Sequence, residues 1–114
     1  MAQSSEFVEF VLESLQPLRG VSARRMFGGW GIYKDGVMFA LVADDTLYLK
    51  VDEGNRAAYE QAGLPYFTYT DKGKPIRMPY CEAPSEGLDD PEILCAWARA
   101  AYAAALRTRS HKRK

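Results

Sequence analysis

The sequence predicts an α+β domain in which helices at both ends pack on an antiparallel sheet built from a meander and a second hairpin. Gly28-Gly29 and Asp35-Gly36 divide residues 24–42 into three apolar runs of strand length, and glycine reaches positive φ without a Cβ clash. Apolar residues recur at helical spacing over residues 7–15 and 93–106. At 114 residues and 47% hydrophobic content, the chain can form one domain with one core, which we assign to residues 1–107.

The first helix is predicted to begin at a cap formed by Ser4 or Ser5 and to end near Gln16, because Pro17 disfavours continuation. Its acidic residues lie largely opposite an apolar stripe. The stripe consists of Phe7, Val8, Val11, Leu12 and Leu15. We expect this stripe to dock on the sheet, and binding to a partner is the alternative.

The first strand is predicted over residues 22–27, where Arg24 and Arg25 point to opposite faces. One arginine must then lie beneath or beside the sheet. It needs either a carboxylate partner or a role on a functional surface, because an unpaired buried charge is costly. In the next strand Trp30 and Ile32 share one face and are predicted to point into the core.

Residues 37–43 are almost entirely apolar, as in a central strand covered on both faces. Asp44-Asp45 is predicted to form a turn that faces water, and residues 47–51 form the next strand. Asp52 is predicted to cap a short helix that reaches about Gln61 and stops at Gly63.

The second hairpin is predicted from residues 66–70 and 75–81. Pro75 and Pro79 lack amide donors, so the returning strand should lie at an edge or be interrupted. This hairpin is rich in aromatic residues, which predict either ordinary sheet packing or a platform that stacks single-stranded bases. The aromatic residues are Tyr66, Phe67, Tyr69 and Tyr80.

The last helix is predicted to begin at Asp89-Asp90-Pro91 and to end near Arg107, with Trp97 as its largest contact with the sheet. Residues 108–114 should form a disordered basic tail. The predicted buried stripe consists of Ile93, Leu94, Trp97, Ala98, Ala101, Ala105 and Leu106.

The neutral total of fifteen acidic and fifteen Lys and Arg residues hides a segregated charge. Five cations lie in the last eight residues, so the preceding body has ten cations against fifteen anions. The five cations are the candidate nucleic-acid-binding residues of the chain. They are Arg107, Arg109, Lys112, Arg113 and Lys114.

Groups for catalysis are scarce. Cys81 and Cys95 lack zinc-site spacing, and His111, the one histidine, lies in the predicted tail. The chain contains neither a phosphate-binding loop motif nor a signal peptide or long apolar run. We therefore expect no catalytic residues, no cofactor and no metal. We also expect a cytoplasmic protein that does not bind membranes, with both thiols free and buried.

The run Arg24-Arg25-Met26-Phe27-Gly28-Gly29-Trp30-Gly31-Ile32-Tyr33 resembles the signature of the N-terminal domain of the TfoX/Sxy family. Residues 47–52, 78–80 and 88–97 also fit, so the resemblance covers about residues 5 to 106. It implies a fold similar to that of secretion chaperones. Named members regulate competence for DNA uptake and act with the cyclic-AMP receptor protein. They carry a second, C-terminal domain, and we expect this chain to be a stand-alone N-terminal domain.

Three hypotheses follow. The first is a non-enzymatic regulatory module that binds a protein such as a transcription factor, or a second copy of itself. Its candidate partner-binding residues are Arg24, Arg25, Gly28, Gly29 and Trp30. The second is direct nucleic-acid binding by the basic tail, and the third is an enzyme with a small-ligand cleft beside the Gly28-Gly29 turn.

Overall fold

In the computed structural model, which describes residues 3–26 and 28–112, six strands form one antiparallel sheet. The strands are β1 (Val21–Met26), β2 (Gly29–Lys34), β3 (Val37–Ala43), β4 (Thr46–Lys50), β5 (Tyr66–Asp71) and β6 (Lys74–Glu82). The helices are α1 (Gln3–Ser14), α2 (Arg56–Ala62), α3 (Ser85–Asp89) and α4 (Pro91–Lys112), with a 3-10 turn at Gln16–Leu18. The strand order is β1-β2-β3-β4-β6-β5, so β1 and β5 are the edges. This is the predicted α+β class.

The core lies between one face of the sheet and the helices. Phe39 of β3 meets Tyr102 of α4 edge-on, with ring centroids 6.0 Å apart. The thiol of Cys95 in α4 donates to the carbonyl oxygen of Ser14 at 3.3 Å and so joins α4 to α1. The strand side chains in this core are Ile32, Val37, Phe39, Ala40, Val42, Leu47, Leu49 and Cys81.

The first helix docks as predicted, because Val8, Val11 and Leu15 are buried. The predicted cap is wrong, since α1 already includes Gln3 and both serines lie inside it. Serine is tolerated in the first turn of a helix, so an extra residue or two costs little. Pro17 lies in the 3-10 turn that follows.

The second helix begins at Arg56, four residues after the predicted cap. Asp52 instead closes a turn: its carboxylate accepts from the amide of Gly54 at 2.8 Å, and its carbonyl accepts from the amide of Arg56 at 3.0 Å. Gly63 ends α2 in the left-handed conformation, with a φ of 70°, as the sequence predicted.

The proline-containing strand β6 lies inside the sheet, so the expected edge position is wrong. The expected interruption is present, because β4 pairs only with residues 80–82 of β6. Residues 74–77 find register partners in β5, including Thr70 opposite Pro75. The missing amide donor of Pro75 is tolerated there, because this segment of β6 has a neighbouring strand on one side only.

The last helix begins as predicted, with Oδ1 of Asp90 accepting from the amide of Glu92 at 3.0 Å. It continues to Lys112, so the predicted disorder of residues 108–114 is wrong for residues 108–112. Residues 113–114 lie outside the described part of the chain. The hydroxyl of Thr108 donates to the carbonyl of Ala104 at 3.0 Å, and Arg107 is held by an ion pair, so the chain past residue 106 makes contacts that the sequence did not reveal.

The buried stripe of α4 is rotated from the predicted one. Ile93 and Leu106 are exposed, whereas Cys95 and Ala104 are buried. Trp97 packs edge-on against Tyr59 of α2, with ring centroids 4.9 Å apart, and it also packs against the core. The helices in the described part of the chain are all too short or too polar to cross a membrane.

Candidate interaction surface

The sheet face opposite the core is lined by aromatic and methionine side chains, and we call it the open face. Its members alternate along the strands with the core residues, as Tyr48 does between Leu47 and Leu49. The register places Gly31, Leu41 and Tyr48 side by side across β2, β3 and β4. The open face is defined by Met26, Tyr33, Met38, Leu41, Tyr48, Phe67, Tyr69 and Met78.

A groove of about 360 Å³ runs along the open face. Met26 of β1 forms one wall, Phe67 and Tyr69 of β5 and Met78 of β6 form the other, and Leu41 contributes to the floor. Among the described residues, every one that lines the groove belongs to a strand. The rings of Phe67 and Tyr48 lie 4.8 Å apart, and those of Phe67 and Tyr69 lie 6.3 Å apart. The groove is therefore apolar and adaptable, because thioethers repack easily around a ligand.

Two arginines lie next to each other in the edge strand β1. Arg24 stacks over the ring of Tyr33 on the open face, with 5.2 Å from its guanidinium carbon to the ring centroid. Arg25 stacks over Trp30 on the opposite face at 5.5 Å. Both are exposed. Arg25 lies on the edge strand beside the sheet, which is one of the two positions that the sequence predicted. An edge strand lets both side chains reach water, and neither forms an ion pair with a described carboxylate.

The structure brings three of the five predicted partner-binding residues to the groove or its rim. Trp30 is half-buried and packs against the core. Both Trp30 and Gly29 line the groove. Arg24 lies at the rim. Gly28 has a φ of 78° and borders open space, so its role is the turn itself. Arg25 points to the helix-covered face. The strand β1 ends at Met26, and Phe27 lies outside the described residues.

Gly29 is required by close packing rather than by backbone conformation. A Cβ at this position would run into the carbonyl oxygen of Val42 in the neighbouring strand β3. At Gly31 a Cβ would meet the sulfur atoms of Met26 and Met38 at 2.9 and 3.2 Å. The glycines of the motif therefore let side chains of the open face close over the sheet.

The candidate nucleic-acid-binding cations are separated by their contacts. Arg107 donates two hydrogen bonds to Asp52, from Nε to Oδ2 at 2.6 Å and from Nη2 to Oδ1 at 2.7 Å. Arg109 and Lys50 line a cleft of about 460 Å³. Lys112 belongs to the helix, but its side chain is not among those described, and Arg113 and Lys114 lie outside the described residues.

The two cysteines are free and buried, as predicted. Burial raises the pKa of Cys81 to about 11, and burial also raises the pKa of Cys95. A thiol is nucleophilic as its thiolate, so neither cysteine is poised for reaction near neutral pH. In the part of the chain whose side chains are described, no group of three or more His, Cys, Asp or Glu residues is placed to hold a metal ion.

The sequence did not reveal the wall of the groove that faces Met26, which β5 and β6 form. It predicted one cluster of Tyr66, Phe67, Tyr69 and Tyr80, whereas Tyr66 joins the core and Phe67 and Tyr69 line the open face. The period-two alternation along residues 66–69 separates these side chains. However, which face the helices cover depends on tertiary packing, so the alternation alone does not reveal the groove.

A model of a known protein family matches most of the chain. The family model described as the TfoX N-terminal domain matches residues 13–105, which include the whole sheet and most of α4. No curated protein matches the chain at a significant level.

Proposed function

The chain belongs to the TfoX N-terminal domain family, and from that premise we propose that it is a non-enzymatic regulatory module that binds a protein such as a transcription factor. The apolar groove of the open face carries this proposal. Its methionines and aromatic rings, with Arg24 at the rim, match the residue types enriched where proteins bind proteins.

The partner we propose is a segment that places an apolar side chain in the groove and an acidic residue against Arg24. A buried anchor of this kind supplies most of the affinity, and a rim charge selects the partner and speeds association. The inert thiols support a binding role over a catalytic one.

The experiment compares recovery of partners by immobilised wild-type chain, Met26→Glu and Arg24→Glu. The control is Arg99→Glu, which reverses an exposed charge on α4, away from the groove. We expect a protein to be recovered by the wild type and the control and to be lost with Met26→Glu. With the partner purified, Arg24→Glu should weaken its binding at least tenfold. Equal binding to all four chains would refute the proposal.

Direct nucleic-acid binding is the second candidate, and the exposed Arg109, which lines a cleft of about 460 Å³, favours it. Arg107 is engaged by Asp52, so at most four of the five C-terminal cations are available for phosphate contacts. Affinity would then fall with roughly the 3.6 power of salt concentration, about 0.9 per contact. Anisotropy of a labelled oligonucleotide over a salt series would measure this slope, and affinity independent of salt would refute this candidate.

A further inference from the structure

The two edges of the sheet differ in how they are protected. The edge strand β1 carries Arg24 and Arg25, and charged side chains discourage pairing with another strand. The other edge strand, β5, has the sequence Tyr-Phe-Thr-Tyr-Thr-Asp, without lysine, arginine or proline. Its residues 68–71 are all exposed. An exposed strand of aromatic and β-branched residues is a template for a further strand.

The backbone of β5 is regular enough to pair with a further strand. Tyr66 pairs with Cys81, and Thr68 pairs with Arg77. Between these two pairs β5 advances two residues and β6 advances four, so the irregularity lies in β6. The carbonyl of Pro65 accepts from the amide of Glu82 at 3.0 Å and therefore faces β6. Since backbone groups alternate along a strand, Tyr66, Thr68 and Thr70 direct theirs away from β6.

We propose that two copies of this chain associate through antiparallel pairing of their β5 strands, with a twofold axis at Thr68. This inference goes beyond the proposed function, and it concerns the edge of β5, whose Phe67 and Tyr69 also form a wall of the groove. The two Thr68 residues would exchange both backbone hydrogen bonds, and the two sheets would form one sheet of twelve strands.

The position of the axis follows from the side chains. With Thr68 opposite its own copy, Phe67 of each chain lies opposite Tyr69 of the other, and such aromatic cross-strand pairs are stabilising. Asp71 then lies beyond the aromatic pairs. An axis at Tyr69 would place the carboxylate of Asp71 against a Phe67 ring. An axis at Phe67 would place Tyr69 opposite Pro65, which precedes β5, so the Phe67–Tyr69 pairs would be lost.

The predicted dimer is weak. Pairing along about five residues buries less than the roughly 1,200 Å² below which complexes are typically transient. The dimer should therefore form reversibly and be detected by sedimentation over a range of concentrations.

Charge substitutions at Thr68 provide the test. Thr68→Lys and Thr68→Glu each place like charges directly opposite one another, so each variant should sediment as a monomer where the wild type is dimeric. An equimolar mixture of the two variants should restore the dimer, which also shows that both are folded. Ser22→Lys and Ser22→Glu, at an exposed position on the β1 edge, are the matched controls and should remain dimeric.

Three results would overturn the proposal. The first is a wild-type chain that stays monomeric at the highest concentration reached. The second is a dimer that persists in both Thr68 variants, because the contact would then lie elsewhere. The third is a mixture of the two variants that stays monomeric, because the axis would not pass through Thr68.

Discussion

The guanidinium of Arg107 in α4 donates two hydrogen bonds, of 2.6 and 2.7 Å, to the carboxylate of Asp52 in the turn after β4. The pair spans 55 residues of sequence and joins the last helix to the turn that follows β4. The hydrogen bonds from Arg107 are the main reason that the pKa of Asp52 lies below its usual value, and the amide of Gly54 lowers it further. A cation assigned to nucleic acid from the sequence therefore has a structural contact.

Replacing Asp52 by Asn should destabilise the protein at neutral pH and have less effect in acid. A carboxylate with a lowered pKa stabilises the fold above its unfolded pKa of about 4, and this contribution is lost as the pH falls through the folded value. Arg107 is half exposed, so we expect a loss of at most about 1 kcal/mol. Urea unfolding of both proteins at neutral pH and at about pH 2 measures the difference.

The matched control is Glu53→Gln, which removes an exposed neighbouring carboxylate without an ion pair in the described structure. It should leave the stability unchanged at both pH values. An equal loss for Asp52→Asn at the two pH values would contradict the ionic explanation.

Gly54→Ala should weaken the ion pair between Arg107 and Asp52 by displacing the guanidinium of Arg107. A Cβ at Gly54 would lie 2.5 Å from Nη2 of Arg107 and 2.9 Å from its guanidinium carbon. The end of a flexible side chain can move away, so the loss should not exceed the roughly 1 kcal/mol of an exposed pair. In a double-mutant cycle, Gly54→Ala should cost almost nothing once Arg107→Gln is present. Additive losses would show that the glycine matters for its backbone instead.

Gly29→Ala should be far more harmful, because the obstacle is the backbone carbonyl of Val42 in a central strand. Separating two paired strands is expected to cost on the order of 1–3 kcal/mol or more. Gly28→Ala is the comparison: it meets no atom within 4 Å and incurs only the strain of a φ of 78°, roughly 1 kcal/mol. Thermal unfolding of the two variants should rank them in this order, and the reverse ranking would refute the packing role of Gly29.

The sequence predicted the order and type of the six strands and of α1, α2 and α4, because glycine turns and helical spacing are local signals. It did not predict α3 or the 3-10 turn. It failed where a distant residue decides the outcome. Asp52 looked like a helix cap, but Arg107 and the Gly54 turn engage it. Residues 108–112 looked unstructured because their contacts come from elsewhere in the fold. The wall of the groove formed by β5 was missed for the same reason, since the choice of covered face is made by helix docking.

Tyr59→Phe should leave the protein as stable as the wild type or stabilise it by up to about 1 kcal/mol. The hydroxyl of Tyr59 is the one buried side-chain polar atom without a hydrogen-bond partner in the described part of the chain, and its burial raises the pKa of Tyr59. Removing an unsatisfied hydroxyl ends a desolvation cost, while the ring keeps its edge-on contact with Trp97. Tyr59→Leu, the control, loses that ring contact and should be destabilising in the same urea titration. A loss of more than 1 kcal/mol for Tyr59→Phe would mean that the hydroxyl has a partner, such as a buried water, that matters to the fold.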